Sequence, residues 1–167
     1  GPDYNLGNYI NSVTGRDMLL WNGGCHVHEK FSVEAIVKLK AEHPEAVVMA
    51  HLECKAPVLA VADVKGSTAT MLDYAKEHKE TKEYIIATEA GILHELQRCC
   101  PDVTFYPVPP EVSEGGVGCS CNECEYMKKN TLLKIYNTLR YELPEVTVDE
   151  SIAKDAVKPI ERMLELS

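Results

Sequence analysis

A chain of 167 residues with 45% hydrophobic content is long enough to bury one sizeable core, or two small lobes sharing one. Its net charge of -9, with no Lys/Arg stripe, excludes a nucleic-acid or anionic-membrane surface as the expected partner. The longest apolar run, Pro57–Ala62, falls far short of the roughly 20 residues that cross a bilayer, and no signal peptide opens the chain, so a cytoplasmic location is expected.

In chain order, residues 2–10 with apolar Leu6, Tyr9, Ile10 and Val13 predict a helix. A turn over Thr14–Asp17 then leads into an apolar strand, Met18–Trp21. Next comes Asn22-Gly-Gly-Cys-His-Val-His-Glu29, which gathers a soft ligand, two imidazoles and a carboxylate after that strand. Gly23 and Gly24 relieve β-carbon crowding, which lets the loop turn tightly and bring Cys25 near a bulky inorganic group. Ser32 is the expected cap of a helix that carries Val33, Ile36, Val37 and Leu39 and stops before Pro44.

The continuous apolar run Ala46–Ala50 suits a strand buried on both faces of a parallel sheet. His51-Leu-Glu-Cys54 follows at its C-terminal end, where open α/β sheets place ligands. His51 and Glu53, at alternate positions of an extended segment, are expected on one face. Residues 57–63 predict a short helix, and Lys65-Gly-Ser-Thr68 opens a longer one with Ser67 as cap. A strand Glu83–Ala87, a helix Thr88–Leu96 and a strand Val103–Tyr106 follow. The alternation gives an α/β class with a parallel sheet.

Pro107–Gly118 is rich in Pro and Gly and reads as a loop that delivers Cys119, Cys121 and Cys124. A long helix is expected from Asn122 to about Glu142, ended by Pro144. A short strand Val146–Val148 and a last helix capped by Asp149 or Ser151, with Pro159 inside it, complete the chain. The apolar stripes of these helices are expected to face a core.

Seven cysteines in a chain without a secretion signal do not read as a disulfide framework, which leaves metal ligation or redox chemistry. Cys99 and Cys100, at a helix end, are read as small buried hydrophobes. Cys121-x-x-Cys124 offers one ligand pair of zinc type, but no second pair follows. Sliding Pro2 onto Thr88 without a gap lays Asp3 over Glu89, Leu6 over Ile92, Ile10 over Leu96 and Leu19 over Phe105. Both copies then run into a cysteine-bearing loop. A site gathering one cysteine per repeat is the sharper reading. The first copy has no strand before Pro2, so the chain is expected to begin inside a repeat.

The motifs Pro2-Asp-x-Asn-Leu-Gly7, Trp21-x-Gly-x-Cys-x-Val-His28, His51-x-Glu-Cys54, Ala62-Asp-x-x-Gly-Ser-Thr68, Thr88-Glu-x-Gly-Ile-Leu-His94, Cys124-x-x-Met-Lys128 and Arg162-Met-Leu164 together resemble the quinolinate synthases. The resemblance implies three-layer αβα repeat domains around a pseudo-threefold axis, incomplete here at the N-terminus. Residues 1–28 would end the middle domain, 29–124 would form the third, and 125–167 would be a C-terminal segment packing on the first. It also implies a 4Fe-4S cluster bound by Cys25, Cys124 and a third cysteine outside this chain. The implied reaction is condensation of iminoaspartate with dihydroxyacetone phosphate to quinolinate, in NAD biosynthesis, with L-aspartate oxidase or aspartate dehydrogenase as supplier of iminoaspartate.

The same resemblance puts His51 and Glu53 at the catalytic centre, with Glu53 a proton-transfer group, and puts Ser67 and Thr68 on a substrate carboxylate or phosphate. Taken alone, a Ser67 at a helix start is more often merely a cap, and His28 is as readily structural as functional. Glu89 and His94 match family positions without an assigned catalytic role. His-Leu-Glu-Cys stands where the family often has His-Pro-Glu-Cys. Extra cysteines near Cys124 suggest a regulatory Cys121–Cys124 disulfide when the cluster is absent. The expected state of this chain is therefore an inactive, cluster-free fragment with a mobile 107–118 loop. The alternative is a metal-binding or cluster-carrying module that has lost the reaction.

Overall fold

The computed structural model describes residues 3–111 and 122–166, which form two units divided after Glu125. In the first, Asp3 caps α1 (Tyr4–Thr14) by accepting the Leu6 N–H. Gly15 ends the helix at φ 67°, a left-handed conformation that a β-carbon would strain. Ser32 caps α2 (Val33–Glu42) as expected, and β1 (Val47–His51) follows. Then come α3 (Ala56–Val61), β2 (Val64–Gly66), α4 (Thr68–Glu77) capped by Ser67, β3 (Glu83–Ala87), α5 (Ile92–Cys99) and β4 (Thr104–Pro107).

The four strands form one parallel sheet in the order β2-β1-β3-β4. Alternate strand residues feed two apolar layers, as the period of two requires. Val48, Ala50, Ile85 and Ala87 pack with Phe31, Ile36 and Val58 on one face. Met49, Tyr84 and Ile86 pack with Met71, Ala75, Ile92 and Leu96 on the other. The result is the αβα layering that continuous apolar strands demand. Asp63 locks β1 from its edge, accepting the Val48 N–H at 2.8 Å while its own N–H donates to the Val48 carbonyl at 2.9 Å.

Several sequence expectations are corrected. Met18–Trp21 is not a strand: no described strand pairs with it, Leu19 is 94% exposed, and Leu20 instead packs over Gly7 of α1. An apolar run without a ladder partner leaves its backbone groups to water or side chains, and the Met18 N–H donates to Asn11 Oδ1. The helix expected from Thr88 starts at Ile92, because residues 88–91 form a loop with other partners. The three-residue β2 was not anticipated, being too short to carry a periodic signal. Cys99 and Cys100 are half-buried rather than buried.

In the second unit the long helix is broken. A 3-10 turn, Met127–Lys129, precedes α6 (Leu132–Tyr141), because Thr131 caps α6 by accepting the Lys134 N–H. Val146–Val148 has no strand partner among the described residues and is irregular. Asp149, not Ser151, caps α7 (Glu150–Glu165), with Pro159 inside the helix. The apolar stripes of α6 and α7 are not core-facing: Leu132, Leu139, Ile152 and Ile160 are all exposed. Much of the 107–118 loop, with Cys119 and Cys121, lies outside the described residues.

Ile86→Ala, in the middle of β3, is expected to cost about 2–5 kcal/mol in urea unfolding, as buried large-to-small changes do. Leu19→Ala should stay within about 0.5 kcal/mol of the parent, since its side chain has almost no packing to lose.

Candidate active site

All four strands run the same way, so their C-terminal ends share one edge of the sheet. The chain leaves β1 for β2 on one side and returns to β3 on the other. The crevice beyond β1 and β3 is therefore the switch point at which open α/β sheets bind ligands. His51 is the last residue of β1, with Glu53 two residues beyond it. Thr88 and Glu89 follow β3 directly.

Cys25 and His28 reach this crevice from the loop before α2. The Glu29 N–H donates to the Cys25 carbonyl at 3.0 Å and a 3-10 turn spans His28–Lys30, so the chain coils tightly enough to put Cys25 and His28 on one side. A β-carbon on Gly24 would lie 2.9 Å from the Glu29 carboxylate, so in this structure the crowding that glycine relieves comes from Glu29. Donor atoms of Cys25, His28 and Glu53 all lie within 4.8 Å of one another. A thiol, an imidazole and a carboxylate so grouped are a donor set for a transition metal.

The protonation states follow from the contacts. His51 Nδ1 accepts the Glu53 backbone N–H at 3.2 Å, so neutral His51 carries its proton on Nε2. Burial lowers the pKa of His51, against the opposing pull of Glu53 and Asp3. His28 stacks on His51 with ring centres 4.5 Å apart. Burial, then the charges of His51 and His26, push His28 down to about 4, so it is neutral at pH 7.

The Nε2 of His28 sits 2.9 Å from Thr88 Oγ1. Its Nδ1 comes within 3.0 Å of Glu53 Oε2 but off the hydrogen-bonding direction, which leaves this buried nitrogen without a hydrogen-bond partner. An unpaired buried nitrogen costs about 1–3 kcal/mol, a penalty that a bound ligand would remove. Burial raises the Cys25 thiol pKa, opposed by the His28 and Val27 backbone groups and reinforced by Glu53. Its thiolate therefore needs a cation to form fully. Cys54, fully buried with its thiol pushed up to about 12, is a core residue with no such poise.

His51 and Glu53 converge, with Nδ1 and Oε2 3.8 Å apart, but through a turn rather than by alternation along an extended segment. Ser67 and Thr68 are exposed at the start of α4, just past β2 on the same sheet edge. The Ser67 hydroxyl accepts the Thr70 N–H at 3.2 Å, so its cap role is real. Cys124 packs, like Cys25, against the apolar layer beneath the crevice. Its proposed disulfide partner Cys121 lies outside the described residues. His28 and Thr88 are the participants that sequence reasoning undervalued. The three-residue step from Cys25 to His28 was the available signal for one, and the place of Thr88 at the head of a family motif was the signal for the other.

These features define a parallel α/β protein with a cysteine-, histidine- and carboxylate-lined ligand site at its switch point. The chain matches the quinolinate synthetase A protein family over residues 1–165. It is 48% identical to a quinolinate synthase of Microcystis aeruginosa over 166 residues, 99% of this chain and 50% of that protein. It is likewise 48% identical to one from Nostoc punctiforme and 47% identical to one from Chloroherpeton thalassium, again over 99% of this chain and 49% and 50% of those proteins. The chain belongs to the quinolinate synthase family. It spans about half the length of the curated relatives it matches. No helix among the described residues is long and apolar enough to cross a membrane.

The depressed His28 sets a pH dependence. Between about pH 6.5 and 4 the unfolded chain binds a proton that the folded chain refuses, so this contribution is full above pH 6.5 and is lost as pH falls through that window. Urea midpoints of the metal-free chain should drop across it, and His28→Gln should flatten the drop by up to roughly 3 kcal/mol.

Proposed function

We propose that this chain carries one part of a quinolinate synthase, a transferase of NAD biosynthesis that condenses iminoaspartate with dihydroxyacetone phosphate and releases phosphate and water. Family membership supports the reaction class. The observation that carries the site is the convergence of Cys25, His28 and Glu53 at the switch point. Residues 1–28, 29–124 and 125–167 are read as the end of a middle repeat, a third repeat and a C-terminal segment. Activity is assigned to the whole protein, and this part alone is read as inactive.

Cys25 and Cys124 would hold a 4Fe-4S cluster together with a cysteine supplied from outside this chain. The donor chemistry of the residues present suits that group: Cys25 and Cys124 are both partly accessible thiols packed against the same apolar layer. When bound, the cluster supplies a Lewis-acidic iron that polarises substrate oxygens.

The chain's own residues do the rest. Glu53 Oε2 takes and returns protons at the carbon centres that must lose and gain them during condensation and dehydration. His51, with Nδ1 held by the Glu53 N–H, presents its Nε2–H as a fixed donor to a substrate oxygen. Neutral His28 adds no positive charge beside Glu53. The start of α4, with Ser67 and Thr68, offers backbone N–H groups and the positive end of a helix dipole to a carboxylate or phosphate. A carrier module would have no use for these polar groups, which favours the enzymatic reading. L-aspartate oxidase or aspartate dehydrogenase is the proposed source of iminoaspartate, and the cytoplasm the proposed location.

The test is anaerobic reconstitution of the full protein followed by iron and sulfide analysis and turnover. Cys25→Ser and Cys124→Ser should each abolish the stoichiometric cluster. Glu53→Gln should keep the cluster and lose about 100-fold or more in turnover, the scale of a lost general base. A full cluster in both serine variants would sink the ligand assignment, and normal turnover of Glu53→Gln would sink the proton-transfer role.

A further inference from the structure

The two cysteine loops are held by the same three-bond arrangement. In the first, one oxygen of Asp3 accepts the Leu6 N–H at the start of α1, 2.8 Å away, and the other accepts the Cys25 N–H at 3.2 Å. The next residue, Tyr4, donates its N–H to the carbonyl of Gly23, two residues before the cysteine, at 2.9 Å. In the second, one oxygen of Glu89 accepts the Gly91 N–H before α5 at 2.7 Å, and the other accepts the Cys124 N–H at 3.1 Å. Ala90 donates to the carbonyl of Asn122, again two residues before the cysteine, at 3.1 Å. Asp3 and Glu89 are the residues that coincide when the two halves of the sequence are superposed without a gap.

We propose that Asp3 and Glu89 are paired positioning residues, each clipping the backbone of one metal-ligand cysteine to the start of a helix through the cysteine's own N–H. The clip gives a physical reason for an acidic residue at both places. A carboxylate has two oxygens, so a single side chain can serve the helix end and the cysteine loop at once. Both bonds are charge-assisted and therefore stronger than neutral ones. Leu, Ala or Ser in its place would lose one partner or both. Neither cysteine lies in a helix or strand and both are only partly buried, so packing alone does not fix their backbones. A ligand set assembled from separate repeats needs each thiol delivered to one place before the metal arrives, which the clips provide.

The proposal rests on reading Cys25 and Cys124 as ligands, but its test does not require a cluster. In the cluster-free full chain, amide hydrogen exchange and alkylation rates are measured residue by residue at both cysteines. Asp3→Ala should speed exchange and alkylation at Cys25 about tenfold and leave Cys124 at the parental rate, the effect expected of losing one charge-assisted hydrogen bond. Glu89→Ala should do the reverse. Asp3→Glu, which copies the second clip into the first, should retain protection of Cys25. Asp149→Ala removes the cap of α7, far along the chain from both cysteines, and should change neither rate.

If the alanine variants unfold, Asp3→Asn and Glu89→Gln carry the comparison, since an amide has a single acceptor oxygen and must still give up one bond. Unchanged rates in the single variants, or equal acceleration of both cysteines by either one, would overturn the proposal. Selective acceleration in a protein that nevertheless never binds iron would keep the clips and remove the cluster reading instead.

Discussion

The parallel pairing of β1 with β3, in register from Val47 opposite Tyr84 to Ala50 opposite Ala87, is the constraint on which the rest of the site depends. Parallel strands deliver their C-terminal loops to a common edge. His51 and Glu53 therefore arrive beside Thr88 and Glu89, although more than thirty residues separate the pairs in sequence. The two apolar layers make this pairing obligatory. A slip of one residue would turn Val48 and Ala50 toward the layer that Met49 fills, and Met49 toward theirs.

The pairing brings together a set of polar groups that no single element could hold. His28 is fixed by three contacts of different kinds: a hydrogen-bond approach to Thr88 beyond β3, a close carboxylate from Glu53 beyond β1, and the stacked ring of His51. Burial keeps both imidazoles neutral, which preserves them as directional donors and acceptors rather than charges.

The two cysteine loops share one hydrogen-bond arrangement although the segments that carry them share little sequence. Leu19 and Phe105 coincide in the superposed halves, yet Phe105 lies in β4 and Leu19 in no strand at all. The helices α1 and α5 also start at different distances from their acidic residues. The carboxylate, the following N–H and the carbonyl two residues before the cysteine keep the same relation in both. Side chains on an exposed or partner-poor segment can drift, whereas a backbone N–H that must be held needs an acceptor at one place.

The sequence by itself determined the class and much of the fold. Continuous apolar runs at 46–50 and 83–87 can only be buried on both faces, and Ser32, Ser67 and Asp149 are acceptors placed where helices must begin. The motif set also identified the family, and the motifs of Cys25, His51 and Glu53 contain residues that the fold brings together. What the sequence did not reveal was decided by partners distant along the chain. Met18–Trp21 has strand composition but no ladder to join among the described residues, and the stripes of α6 and α7 have helical period yet stay exposed. Thr88, Asp3 and Glu89 stand in the family motifs, but their partners, His28 and the N–H groups of Cys25 and Cys124, appear only in the folded chain. Local patterns record propensity and burial. The direction in which a side chain's hydrogen bond is spent belongs to the tertiary structure alone.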